Sequence, residues 1–381
     1  MSVAGELVLL APSARALVAS ARRGGRRVLA LDAFADRDTS AVAQVIRVAR
    51  GGELDPDAAL AVLASLPPTA RELIAAAPIE ARPELVDQIG RFGRVFNNTR
   101  DAIAALKDPG IFPGLLTAAG LRVAETQIES PQTPVGWLRK RRGASGGGHV
   151  VRAQLGETRA DCFYQREITG VALSLCFLAD AERCYPLGIN ALRSLDIGGA
   201  PFHYAGVRAL DQEERATYLS DEHIAEIIAG LHRLVRVLAL RGLNGIDLIA
   251  TPDDYAVIEV NPRPPASFAL YDDDYAAGLV HWHCQSFERR LLNFAPATPR
   301  SYRAIAIEFA MRSLCVPGVF DWPTWCHDLP HGGALLPAAA PLCSVTASDS
   351  SSAAAARSLR QRQRELRAVC ASWPRVAELA A

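Results

Sequence analysis

The sequence has almost no lysine. Of 41 basic residues only two, Lys107 and Lys140, are not arginine, and methionine also occurs only twice. Acidic residues number 41 as well, so the formal net charge is zero. No electrostatic argument therefore favours nucleic acid or an anionic membrane as partner. No apolar run approaches the roughly 20 residues that span a bilayer. The opening MSVAGELVLLAPSARALVASARRGGRR has no basic lead before a long apolar stretch and reads as strand then helix, not as a signal peptide. The eight cysteines form no CxxC pair, which points to reduced thiols in the cytoplasm. A GxGxxG fingerprint is missing at the first turn, and the later Gly-rich loop lacks the Lys-Ser/Thr of a Walker A element.

What remains is a chain of 381 residues, half of them apolar, long enough for two or three domains. Residues 6–11 and 26–32 read as strands flanking a helix over 14–23, a unit that builds parallel sheets. Asp32, at the end of the second strand, is either a polar strand end or a ribose contact. Alternating helical and strand-like pieces over 41–92 complete a small α/β domain. Asn97-Asn98-Thr99 caps a helix running through Leu106, and a second short helix spans Ile111 to Ala119. From 121 to 178 the chain is mostly strand-like around one Gly-rich hairpin. Ile224, Ile227, Ile228, Leu231, Leu234, Val235 and Leu238 share one face of a helix over 221–241. Strands 245–250 and 255–260 follow, joined by the turn Thr251-Pro252-Asp253-Asp254. A helix is expected over 276–296. The remainder reads as short strands, a Ser/Ala-rich loop at 347–356 and a final helix over about 354–371.

Three segments carry chemistry. In Trp137-Leu138-Arg139-Lys140 followed by Gly143-Ala144-Ser145-Gly146-Gly147-Gly148-His149, a strand delivers a lysine to a loop of small residues. Such a loop lets backbone N–H groups approach phosphate oxygens; the alternative is a plain hairpin tip. A lysine retained in so arginine-rich a chain suits a site needing a compact ammonium. Next, Asp247 precedes Glu259-Val260-Asn261-Pro262-Arg263 across the expected hairpin. Two carboxylates and an amide oxygen are hard ligands suited to Mg²⁺ shared with phosphates, and Arg263 could fork onto a phosphoryl group or a carboxylate. The alternative is a charged surface hairpin. Third, Gln165-Arg166-Glu167-Ile168-Thr169-Gly170 forms a hinge between strands that could meet a purine edge.

In this order, these elements resemble the ATP-grasp superfamily, most specifically through GIDLIATPDDYAVIEVNPR, which is similar to its D…ExNPR signature. The resemblance spans roughly residues 1–295. It implies an α/β chain with a pre-ATP-grasp parallel-sheet domain (1–95), a two-subdomain α+β ATP-grasp fold (96–295, lid about 123–178) and a small C-terminal β-rich module with a terminal helix (296–381). It implies ATP and Mg²⁺ or Mn²⁺ as cofactors. Lys107, Lys140, Gly146, Gly147, Gly148, Gln165, Glu167 and Ile168 would bind the nucleotide, Asp247, Glu259 and Asn261 the metal, and Arg263 and Lys140 would act in catalysis. Two departures are visible: Arg141 stands where proline usually follows the second lysine, and Arg166 where the hinge often carries glutamate. The implied activity is a carboxylate–amine ligase working through an acyl phosphate, with small-molecule carboxylate and amine substrates and a homodimer as a further expectation. The leading LAPSARALVASARRGGRRVLALDAFADRDT and the trailing WPTWCHDLPHGGALLPAAAPLCSVTA look similar to ATP-grasp proteins of tetrahydromethanopterin- and methanofuran-type coenzyme pathways, including tyramine–glutamate ligase-like enzymes. That would make an amino acid such as glutamate the donor, in coenzyme biosynthesis.

Two other readings stand beside it: a biotin-carboxylase-like enzyme that activates bicarbonate, and a non-catalytic nucleotide-binding regulator. Three further groups stay open. Tyr271-Asp272-Asp273-Asp274-Tyr275 either lines an acceptor pocket or is a solvated loop. His281, His283 and Cys284 form either a soft-metal cluster or part of a core helix. Trp322, Trp325, His327, Asp328 and His331 either seal the acceptor side or simply pack.

Overall fold

The structure, a computed structural model, describes residues 6–67, 71–157, 159–288, 291 and 293–374. The first sheet is parallel. Glu6–Ala11 lies between Val28–Asp32 and Arg71–Ala75, with Gln44–Arg47 and Arg94–Val95 at the edges. Leu7, Val8, Leu9 and Leu10 are all fully buried, which is why this strand reads as an unbroken apolar run and not as an alternation. Asp32 spends both oxygens on local backbone. Oδ2 accepts from Ala14 N at 2.7 Å, and Oδ1 from Phe34 N and Ala35 N at 2.6 and 2.8 Å. It is a polar strand end holding the start of the helix Arg15–Arg23, and the ribose reading has no support.

The second sheet has eight antiparallel strands in the order Tyr255–Asn261, Arg241–Ala250, Val171–Asp180, Cys184–Ile197, Ala200–Ala209, Tyr302–Phe309, Pro341–Asp349 and Cys326–His327. The helix Asp221–Leu238 covers one face, burying Ile227, Leu231, Leu234 and Val235 among Leu173, Leu175, Ile246 and Val257. Ser220 caps it by accepting from His223 N. The expected turn between the late strands is present, with Thr251 N bonded to Asp254 O at 2.8 Å. A third, four-stranded sheet is made of Val151–Arg152, Trp137–Arg141, Cys162–Arg166 and Thr126–Gln127, the segment that the resemblance reads as a lid and that is called the lid below. The mixed α/β architecture is the one the sequence implies.

Several local expectations need correction. The helix expected over 276–296 runs only Leu279–Phe287; residues 289, 290 and 292 of that span lie outside the described residues. The Ser/Ala-rich stretch at 347–356 is not a loop. Its first part belongs to the strand Pro341–Asp349, and Ser351 then caps the helix Ser352–Cys370 by accepting from Ala354 N. Ala353 to Ala356 favour helix once the serine supplies that cap. The sequence reading also passed over the long hairpin Cys184–Ile197 and Ala200–Ala209, whose outer half reaches the lid.

The segment around residue 328 joins the last strands to the first sheet. Ser13 Oγ and Arg15 Nε each donate to Asp328 Oδ1 at 2.9 Å, and the Asp38 carboxylate accepts from Asp328 N and Leu329 N. His331 bonds Ala35 O at 2.9 Å, and Trp322 packs edge-on against Phe320 and Trp373. These residues pack; they do not face the carboxylate pair described below.

Asp36 is buried at this junction, and burial together with Asp328, Asp32 and Asp38 pushes its carboxyl up to about 8 from 3.8. The folded protein thus keeps a proton that the unfolded chain releases at lower pH. The resulting stability is complete below 3.8 and is lost as pH climbs through about 8. Urea midpoints should fall across that window, and Asp36→Asn should flatten the slope. An unchanged slope in the variant would place the titration elsewhere.

Candidate active site

The site starts from a β-bulge. Ala250 pairs with Tyr255 and Leu248 with Val257, but the register then shifts so that Asp247 faces Glu259 and Gly245 faces Asn261. Ile258 is the extra residue. Without it Asp247 would oppose Ile258, and the two carboxylates would lie on opposite faces of the hairpin. With it, Asp247 and Glu259 are direct cross-strand partners. Asn261 joins them, its Nδ2 donating to Asp247 Oδ2 at 3.0 Å.

Cations converge on this pair from elsewhere in the chain. Lys107, at the end of the helix Arg100–Lys107, donates from Nζ to Glu259 Oε1 at 2.6 Å and to Asn261 Oδ1 at 3.2 Å. The same ammonium lies 2.7 Å from Glu80 Oε1. Arg263 Nε donates to the other oxygen of Glu80, Oε2, at 2.6 Å. Glu80 is 2% exposed and sits just beyond the strand Arg71–Ala75 of the first sheet. The sequence reading missed it. A signal was there: a lone acid in an apolar setting (Pro78-Ile79-Glu80-Ala81) at the carboxyl end of a parallel strand, where open α/β sheets place their crevices.

The electrostatics follow from this crowding. Withdrawal from water and the neighbouring Glu259 push Asp247 up to about 7. Burial works against Glu259 too, but Lys107, Lys140 and Arg263 together outweigh it and hold the carboxyl below its ordinary value. Lys107 likewise resists burial because Glu259 and Glu80 hold it charged. Lys140 differs. It is 9% exposed, its Nζ donates to the neutral Gln165 Oε1 at 2.6 Å, and burial lowers its pKa.

The lid brings Lys140 in. Lys140 and Phe163, and Leu138 and Gln165, are cross-strand partners on one face of the lid sheet. Gln165 Nε2 donates to Thr126 Oγ1 and Ile258 O, tying the lid to the bulge residue. The Gly-rich loop is docked on the hairpin Cys184–Ile197/Ala200–Ala209, with Tyr204 N donating to Gly146 O at 2.8 Å. Gly147 has φ +74°, and a Cβ there would meet Phe202 O at 1.9 Å, so only glycine permits the approach. At the other end of the loop a Cβ on Gly143 would strike Glu80 O at 2.3 Å. Gly148 packs on the ring of His203. His149 is partly buried; burial lowers it to about 4, so its ring is neutral, and its Nδ1 has no hydrogen-bond partner.

Other expected groups lie elsewhere. Glu167 pairs with Arg152 at 2.9 Å, and Ile168 is half-buried in the irregular segment after Arg166. A cleft of about 1060 Å³, lined by Gln127, Trp137 and Arg166 among others, includes none of the charged cluster. The acidic run is spent on structure. Asp272 accepts from Ser20 Oγ and Leu279 N and pairs with Arg23, Asp273 pairs with Arg23, and Asp274 pairs with Arg303. His283 is a core residue whose Nδ1 accepts from Leu243 N while Nε2 bonds Phe96 O.

Among the described residues no three or more His, Cys, Asp and Glu side chains gather to hold a metal by themselves. Asp247, Glu259 and Asn261 nevertheless fit a hard divalent cation shared with a ligand. They offer three oxygens on one surface, and the raised Asp247 marks negative charge that a cation would relieve. No helix among the described residues is long and apolar enough to cross a membrane.

Comparison with known proteins gives the following. Residues 113–267 match the ATP-grasp domain family. No curated protein matches the sequence. Among solved structures, the chain resembles the biotin carboxylase domain of 2-oxoglutarate carboxylase from Hydrogenobacter thermophilus, bound to MgADP and bicarbonate, with a TM-score of 0.70 at 10% identity over 91% of this chain and 86% of that one. N5-carboxyaminoimidazole synthetase from Staphylococcus aureus, complexed with ADP, gives 0.64 at 11% identity over 97% of each. An ATP-grasp superfamily protein from Archaeoglobus fulgidus, described as putative, gives 0.57 at 17% identity over 88% and 99%.

Glu80 balances two buried cations, so Glu80→Ala should lower unfolding stability by about 3 kcal/mol in urea titrations. A loss under about 1 kcal/mol would mean that these pairs are screened like surface ones.

Proposed function

Since the chain carries an ATP-grasp domain over residues 113–267 and has the fold of the ATP-grasp structures it resembles, we propose that it is an ATP-dependent ligase that activates a carboxylate as an acyl phosphate and joins it to an amine. The observation that carries this reading is the bulged hairpin. It sets Asp247 against Glu259, with the only two lysines of the chain buried within electrostatic reach. A surface hairpin has no reason to bury charges of both signs.

In this reading Asp247, Glu259 and Asn261 hold Mg²⁺ or Mn²⁺, which neutralises charge on the transferring phosphoryl group. Lys107 and Lys140 bind ATP phosphates, and the loop Gly146-Gly147-Gly148 covers them with backbone N–H groups. Gln165, Glu167 and Ile168 lie at the adenine end. The closed lid keeps water from the acyl phosphate, which would otherwise hydrolyse. Arg263, held by Glu80, faces the developing charge as the donor carboxylate attacks the γ-phosphoryl group. The amine then displaces phosphate, and no protein nucleophile is required. The division at 1–95, 96–295 and 296–381 belongs to the same proposal, as do an amino acid such as glutamate as donor, a role in coenzyme biosynthesis and a cytoplasmic setting.

The test is a panel of amino acids and amines scored for ATP-dependent ADP release. Turnover should appear with one donor–acceptor pair. Lys140→Ala and Glu259→Ala should each lower it by about two orders of magnitude or more while cooperative melting is retained. AMP in place of ADP would overturn the acyl-phosphate route, and full activity in either variant would overturn the assignment.

A further inference from the structure

Lys107 sits where the preceding reading puts a metal. Its ammonium touches Glu259 Oε1 at 2.6 Å and Asn261 Oδ1 at 3.2 Å, two of the three ligands assigned to the divalent cation, and Glu80 Oε1 at 2.7 Å. Its side chain is 8% exposed. This is a filled seat and not a lysine reaching out toward a nucleotide. The second lysine does not share it, because Lys140 is held by Gln165.

We infer that Lys107 is a resident counter-cation that keeps the metal out of the Glu259–Asn261 seat until nucleotide arrives, so that metal and nucleotide bind together. This rests on the metal-site reading above. The argument is one of charge. Three carboxylates, Asp247, Glu259 and Glu80, lie within electrostatic reach of three cations, Lys107, Arg263 and Lys140. Each cation is largely withdrawn from water. A divalent ion entering alone would have to displace the ammonium from Glu259 and would leave the cluster with excess positive charge in a poorly screened setting. A triphosphate brings the missing negative charge and gives the displaced ammonium a new partner. Metal entry is then linked to nucleotide, and the linkage is reciprocal. Glu80 keeps Lys107 close after displacement, since one of its oxygens already holds the ammonium and the other holds Arg263.

The seat can be emptied by substitution. In the full-length protein, free Mn²⁺ is followed by electron paramagnetic resonance, with and without ADP. The wild-type protein should take up Mn²⁺ about tenfold or more tightly with ADP than without it. Lys107→Met should gain about tenfold in nucleotide-free Mn²⁺ affinity, and Mn²⁺ alone should raise its melting temperature. Adding Asp247→Asn to that variant should remove the gain. A folded Lys107→Met protein with no gain overturns the inference. So does a wild-type protein that binds Mn²⁺ equally well with and without ADP, a result that decides the matter even if the variant does not fold. If ADP fails to bind the wild type at all, the ligase reading falls instead, and uptake of Mn²⁺ by Lys107→Met still decides the role of the lysine.

Discussion

Two carboxylates forced side by side need a positive charge between or beside them, and much of this molecule is arranged around that need. The bulge at Ile258 creates the problem by turning Glu259 toward Asp247. The helix Arg100–Lys107 brings one cation, the residues just after the hairpin bring Arg263, and the first sheet contributes Glu80 to hold both. The first sheet is therefore not a passive neighbour of the bulged hairpin. Its carboxyl end closes the charge network, and the hairpin loop at Gly143 rests on the backbone of Glu80. A change in the position of that strand end would be felt by the lid, by Lys107 and by Arg263 together.

The lid is held by contacts that leave no room for side chains. Gly147 against Phe202 and Gly143 against Glu80 are backbone-to-backbone approaches, and the bond from Tyr204 to Gly146 fixes the loop between them. Such approaches are made by backbone atoms, without an apolar side chain at the point of contact. In the proposed reading, a loop that admits and releases a nucleotide would be slowed at each opening by a well-packed apolar latch. The long hairpin Cys184–Ile197/Ala200–Ala209 supplies the docking edge. Its register slips twice toward the tip.

Much of the scaffold was legible because its signals are local. The first strand and the helix Asp221–Leu238 follow from apolar patterning, and Thr99 announces its helix by capping chemistry. The pairing of Asp247 with Glu259 was anticipated, but for an incomplete reason. A turn between the strands allows the meeting, yet only the bulge puts both carboxylates on one face, and no period-two pattern reports a bulge. Glu80 was missed because the partners that give it a role, Lys107 and Arg263, lie 27 and 183 residues away in sequence, and its apolar setting at a strand end shows only that it is unusual. The acidic run misled for the converse reason. Asp272, Asp273 and Asp274 look like a free negative patch until Arg23 and Arg303, distant in sequence, are placed against them. Charge read along a chain shows how much there is, whereas its use depends on tertiary neighbours.

The scarcity of lysine acquires a physical meaning in this setting. Arginine delivers a planar fork and suits a fixed partner, which is how Arg263 meets Glu80 and Arg303 meets Asp274. Where the chain keeps lysine, the ammonium is buried against two carboxylates and an amide oxygen for Lys107, and against an amide oxygen for Lys140. Lys140 in particular has a neutral partner and a lowered pKa. Its charge is incompletely compensated, and an incoming phosphate would satisfy it better than Gln165 does. Lys107 is paired with two carboxylates and, on the metal reading proposed above, would have to be displaced. On the proposed reading the two lysines stand on opposite sides of the same equilibrium, one favouring the anion's arrival and the other opposing the cation's arrival without it.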